Sequence, residues 1–270
     1  MNMFQTQWLA TLVRCASLAL VASQPAQAED LFIKDVARDI KKGEWLPPGT
    51  TIGGYAFFEG DNNWRLVSNK VTLASQTGVV YGSAHVYRPL GQDYFAEMVV
   101  TVNLTQSPRA FYMTSDPCAG EHLVKVNKVA ASVGEGTWDN CMTIDPLVIT
   151  VQGKQITTLS INVKNVQSQS RYYHMQLLLN PATFGVGESI PVNASATALA
   201  AYPQLKRFLE RLTPWAKKLQ DATAVAIKFE KPGNAFAAIP KWWELMDNFN
   251  LQGQPAPVAP ATNRTPAPVN

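Results

Sequence analysis

Between Thr51 and about Leu179 apolar and polar residues alternate with a period of two. The clearest stretch is "AEMVVTVNLT", where Ala96, Met98, Val100, Val102 and Leu104 fall on one side and Glu97, Thr101, Asn103 and Thr105 on the other. Successive side chains of an extended chain point to opposite faces, so this pattern predicts a strand with one buried face. "QITTLSINVKN" repeats it, with Leu159, Ile161 and Val163 inward and Thr158, Ser160 and Asn162 outward. Leu147–Val151 and Ile156–Val163 are separated by "QGKQ", whose Gly153 marks a hairpin. Gly78–Tyr87 and Arg171–Asn180 read as further strands, and Arg88-Pro89, Asp145-Pro146 and Asn180-Pro181 as punctuation between them. No helical period intervenes, which predicts an antiparallel sheet rather than a series of parallel crossovers.

The pattern changes to a helical period at both ends of this region. Glu29–Lys42 places Leu31, Ile33, Val36 and Ile40 at roughly helical spacing, with acids early and lysines late, before Gly43, Pro47 and Pro48 stop it. In 203–220, Leu205, Phe208, Leu209, Leu212, Trp215, Ala216 and Leu219 form one continuous apolar stripe. Pro203 suits its first turn, and Thr213-Pro214 is expected to kink or restart it. A shorter helix is expected behind Pro240, with Trp242, Leu245, Met246 and Phe249 on one face and Trp242/Trp243 as a satellite cluster on the core. Residues 250–270 are rich in proline and alanine, lack apolar periodicity and read as a disordered tail. The expected fold is therefore α+β: a mainly antiparallel sheet, a short N-terminal helix, and C-terminal amphipathic helices covering one sheet face. A single domain over 29–249 is expected.

Composition fits a cored domain, since 46% of the 270 residues are apolar and 16% charged. A net charge of +3 does not concentrate into the basic patch that nucleic-acid binding needs. The first residues change the picture more. Arg14 precedes the short apolar run Cys15–Ala22, and Ala26-Gln27-Ala28 supplies small residues where a signal peptidase reads them. Trp8–Ala22 is interrupted by Arg14 and falls short of the roughly 20 apolar residues of a membrane span. Residues 1–28 are thus read as a secretory signal cleaved after Ala28, and the mature chain as periplasmic or secreted. Arg14 also spoils a lipobox before Cys15.

Export settles how the remaining cysteines are read. Cleavage removes Cys15 and leaves Cys118 and Cys141 in an oxidising compartment. Their separation is wrong for a Cys-x-x-Cys redox pair, and His122 is the only histidine between them, too little for zinc. A structural disulfide is predicted, closing a loop of about 24 residues.

Candidate chemistry is sparse. His85 shares a strand face with Tyr81 and Tyr87, and His174 shares one with Tyr172, so a Tyr/His cluster forms if the two strands are neighbours. Its functional reading is a binding surface for a glycan, peptide or small ligand; the plain alternative is an ordinary polar sheet face. No metal motif, nucleophile elbow, phosphate loop or dinucleotide fingerprint occurs, and no cofactor is expected. Lys206, Arg207, Arg211, Lys217 and Lys218 flank the stripe of 203–220, which suits either weak association with an anionic surface or a helix packed on the sheet with its cations in water. The expected role is that of an exported, non-enzymatic binding or accessory protein of the bacterial envelope, its partner an envelope protein, glycan or small ligand. The competing expectation is an exported hydrolase whose site assembles from dispersed residues.

Overall fold

A computed structural model describes residues 35, 39–56, 58, 63–74, 78–91, 93–105, 118–130, 138–167, 171–192, 196–227 and 235–246. By its internal contacts the chain separates into Met1–Ile33 and Lys34–Asn270, and every described residue belongs to the second unit. The signal sequence expected at 1–28 and the tail at 250–270 lie outside the described residues.

Two short strands, β1 (Thr51–Ile52) and β2 (Tyr55–Ala56), pair through the turn Gly53-Gly54. Both glycines have positive φ, 59° and 83°, as a two-residue hairpin turn of the primed type requires. Seven longer strands follow: β3 (Arg65–Ala74), β4 (Val79–Leu90), β5 (Asp93–Asn103), β6 (Val124–Ala130), β7 (Trp138–Val151), β8 (Lys154–Gln167) and β9 (Arg171–Leu179). They form one sheet in the order β3-β4-β5-β9-β8-β7-β6, with every neighbouring pair antiparallel. Two meanders, β3-β4-β5 and β6-β7-β8-β9, meet along the seam between β5 and β9, where Ala96 faces Leu179 and Val102 faces Tyr173.

Alternation decides which face is which. Ala84 and Val86 of β4, Met98, Val100 and Val102 of β5, Leu159, Ile161 and Val163 of β8, and Tyr173, Met175 and Leu177 of β9 are completely buried on the inner face. Their alternates Ser83, His85, Glu97, Thr101, Asn162, His174 and Gln176 lie half-buried on the outer face. The inner face is covered by α1 (Pro203–Ala226) and by an aromatic cluster. α1 buries Leu205, Phe208, Leu209, Leu212, Trp215, Ala216 and Leu219, the whole predicted stripe, while Lys206, Arg207, Lys217 and Lys218 are exposed. The surface-association reading of 203–220 loses its insertion side here, because Trp215 is buried and donates its indole N–H to the Pro240 carbonyl, 2.9 Å away. The first amides of α1 are held by a distant carboxylate: Glu188 accepts from Gln204 N and Leu205 N, each at 3.0 Å.

Several expectations are corrected. The N-terminal helix over 29–42 is not supported: Asp35 forms a parallel bridge with Thr51, and its carboxylate accepts from Gly54 N at 3.1 Å, while 29–34 and 36–38 lie outside the described residues. Asp35 is thus spent on the turn of β1-β2, where its carboxylate satisfies the Gly54 amide. Among the described residues the C-terminal region holds one α-helix, since Trp242–Leu245 is a single 3-10 turn whose Trp242 and Leu245 are buried, and Phe249 lies outside them. Pro214 neither ends nor restarts α1, which runs through it. Pro146 does not end a strand but sits inside β7, opposite Leu159 of β8. β6 stops pairing at Ile144, so the far side of β7 is an edge at position 146 and needs no amide donor there. Pro89 similarly stays within β4, beside a register shift between Arg88 and Pro89.

Candidate functional site

The outer face is where the sequence places its aromatic and histidine candidates, and β5 turns out to lie between the two strands that carry them. β4 and β9 both pair with β5, not with each other, so the condition of neighbouring strands is not met. The candidates divide. Tyr81 and Tyr172 still meet across β5, their ring centroids 5.8 Å apart in edge-to-face packing, and Tyr172 lies 6.4 Å from the His174 ring. His85 instead pairs with the Glu97 carboxylate, and Tyr87 lies directly across from Glu97 in register. The predicted cluster is thus two groups, Tyr81/Tyr172/His174 and His85/Glu97/Tyr87.

Register joins them through rows of mostly polar, outward-facing side chains, whose adjacency the sequence alone did not show. One row runs Ser83, Thr101, His174, Lys164 across β4, β5, β9 and β8. The next runs His85, Val99, Gln176, Asn162, Thr143. Ser83 and Thr101 hydroxyls are 3.0 Å apart, and Ser160 Oγ accepts from both Asn162 Nδ2 and Gln176 Nε2 at 3.1 Å. Only the strand order makes these residues adjacent, and a single strand's alternation carries no information about strand order.

Burial and the Lys164 charge push the His174 imidazole down from 6.5 to about 4. Among the described residues its Nε2 finds no hydrogen-bond partner. Burial likewise raises Tyr172 to about 12, with Tyr81 contributing, and raises Tyr81. At neutral pH the triad is therefore uncharged, two phenols and a neutral imidazole. A histidine held neutral by the fold makes the unfolded chain bind more protons between the two values. Its contribution to stability is complete above about pH 6.5 and is lost as pH falls towards 4, by up to about 3 kcal/mol. The urea midpoint of wild type is expected to drop more between pH 7 and pH 4 than that of His174→Gln; equal drops would contradict it.

The third histidine is elsewhere. His122 Nδ1 lies 2.7 Å from Asp145 Oδ2, and Nε2 lies 3.1 Å from the Cys118 carbonyl oxygen. Both ring nitrogens are occupied, next to the Cys118–Cys141 disulfide, whose sulfurs are 2.07 Å apart. No imidazole hydrogen-bonds a serine or threonine hydroxyl among the described residues, so the trio a dispersed hydrolase needs is not assembled there. No group of three metal-ligating side chains occurs among the described residues either. No helix among them is long and apolar enough to cross a membrane. Compared with protein-family models, curated proteins and solved structures, the chain matches none.

Proposed function

We propose that this is an exported, non-enzymatic binding protein of the bacterial cell envelope whose outer sheet face takes up a glycan. The observation that carries the reading is the Tyr81/Tyr172/His174 group bordered by Ser83–Thr101 and by the Ser160, Asn162 and Gln176 amide and hydroxyl row. Sugar rings present C–H faces that lie against aromatic rings, and hydroxyls that trade hydrogen bonds with amides, alcohols and a neutral imidazole. The two phenols and the imidazole at the centre of this group carry no charge at neutral pH, which suits a sugar ring, and Lys164 stands beside them in register. Export is supported by the pattern of residues 1–28 and by a disulfide, which persists in oxidising compartments. The disulfide, distant from the aromatic group in sequence, has a structural rather than a redox role in this reading.

The test is calorimetric titration of the protein with neutral and amino-sugar oligosaccharides from cell-wall digests. Tyr81→Ala and Tyr172→Ala are each expected to weaken binding at least about tenfold, the equivalent of about 1.4 kcal/mol. Lys217→Ala, on the far face of α1, is expected to leave it unchanged. No binding by wild type, or equal binding by all three variants, would remove the proposal.

A further inference from the structure

The outer edge of β3 is covered for only part of its length. Leu66 exchanges backbone hydrogen bonds with Gly43 and Glu44, at 2.7 and 2.9 Å, so the first residues of the strand have a neighbour. Beyond them, Ser68, Asn69, Lys70, Val71, Thr72 and Leu73 are all exposed. Val71 retains 55% and Leu73 63% of its accessible surface, the latter the largest value among the exposed large apolar residues described.

Main-chain direction along this edge follows from β4. Val80 accepts from Leu104 N at 2.8 Å and donates to Thr105 Oγ1 at 2.6 Å, so its peptide groups face β5. Its partner across the ladder, Leu73, must then point its own N–H and C=O away from β4, and so must Val71 opposite Gly82. Thr72, opposite Tyr81, points inward to the ladder. The side chains of Val71 and Leu73 stand on the inner face of the sheet, on the side of Ala84 and Val86. This edge therefore offers peptide groups and apolar side chains at the same two residues.

We propose that β3 pairs with β3 of a second copy of this chain, antiparallel about a two-fold axis through Thr72. An antiparallel pair keeps partners on one face only if the two positions are separated by an even number, so the axis passes through a residue. Through Lys70 it would set two like charges against each other. Through Thr72 it sets Val71 against Leu73 twice, with both residues exchanging N–H···O=C bonds, and Lys70 against Ala74. Four apolar side chains then cover one another on the inner side, and each ladder bond uses a group that faces water in the single chain. The paired length is short because the Gly43–Leu46 segment closes the edge at Leu66, so the contact falls below a standard interface and the dimer is weak. Such an association goes beyond ligand binding and does not depend on it.

Sedimentation velocity of the purified protein, from about 10 µM to about 1 mM, is expected to show a monomer–dimer equilibrium in this range. Val71→Lys is expected to abolish the dimer, and Val192→Lys, at another exposed apolar residue, to preserve it. In a Cys15→Ser background, Thr72→Cys is expected to cross-link on mild oxidation, because a non-hydrogen-bonded antiparallel pair stands about 4.5 Å apart between Cα atoms, within disulfide range. Lys70→Cys is expected not to cross-link. A monomer at every concentration, a dimer that survives Val71→Lys, or equal cross-linking at both cysteine positions would overturn the proposal.

Discussion

Replacing Trp242 by alanine is expected to destabilise the protein by about 3–5 kcal/mol, the range for truncating a buried aromatic ring in a core. Trp242 is 1% exposed and lies at the centre of five other rings. Phe58 is 5.7 Å away between centroids, Trp64 6.3 Å, Phe95 5.3 Å, Phe184 6.4 Å and Trp215 5.4 Å. These rings come from a loop, the approach to β3, the start of β5, the turn after β9 and the middle of α1. Trp242 is thus the hub of the main core, not a satellite of it, and its loss leaves a void bounded by side chains that their own backbones hold in place. A domain of this size has about 5–15 kcal/mol of stability in total, so the variant approaches the unfolding threshold. The adjacent Trp243 is 47% exposed, and Trp243→Ala is expected to change stability by no more than about 0.5 kcal/mol. Urea denaturation followed by far-UV circular dichroism measures both without relying on tryptophan emission. Similar midpoints for the two variants would contradict the assignment of Trp242 as hub.

Breaking the Cys118–Cys141 bridge is expected to cost about 3 kcal/mol by the chain-entropy relation for a sequence separation of 23. Cys141 lies within β7, opposite Lys164 of β8, whereas Cys118 belongs to the segment that leads into β6. The bridge therefore ties the approach of an edge strand to an interior one. Two further ties run beside it. The Asp145 carboxylate accepts from Leu123 N at 3.2 Å and meets the His122 ring at 2.7 Å. Because these ties persist without the sulfurs, the fold is expected to survive as a less stable protein rather than collapse. The double variant Cys118→Ala/Cys141→Ala should lose about 1 M or more in urea midpoint, given a denaturant slope of about 1–3 kcal/mol per molar. Wild type in strong reductant should show the same loss, and the double variant no response to reductant. An unchanged wild-type midpoint after verified reduction would contradict this.

What could be read from the sequence was whatever a single element dictates by itself. Ala96, Met98, Val100 and Val102 alternate because one strand has two faces, and the stripe from Leu205 to Leu219 repeats because one helix has one buried side; all of these residues are buried. The turn at Gln152-Gly153 was also legible, although it is tighter than "QGKQ" implies: β7 ends at Val151, β8 begins at Lys154, and both turn residues have positive φ. Features that depend on a partner were not legible. Pro146 reads as a strand end until the register shows that β6 does not reach it. The reach of the Asp35 carboxylate to Thr51 and Gly54 depends on a turn 16 to 19 positions away, which no local period announces. "WWELMDNF" has helical spacing over too few turns for the period to outweigh the pull of the aromatic core on Trp242. The candidate face suffers most from this limit. Tyr81 and Tyr172 are 91 positions apart in different meanders, with β5 between their strands, and only the strand order brings their rings together.

The seam between the two meanders bears on how this chain reaches its native state. Every other ladder in the sheet joins strands that follow each other along the chain, so each closes over a short loop. β5 and β9 are the exception, with Ala96 waiting for Leu179 and Val102 for Tyr173. When the amino-terminal half arrives first, at about 5–20 residues per second, β5 stays bare on that side for several seconds. Closing this non-local pairing carries the largest loop-closure penalty in the sheet, and slows folding relative to a sheet of hairpins alone. During that interval the chain needs shielding from its neighbours, whichever side of the membrane it is on.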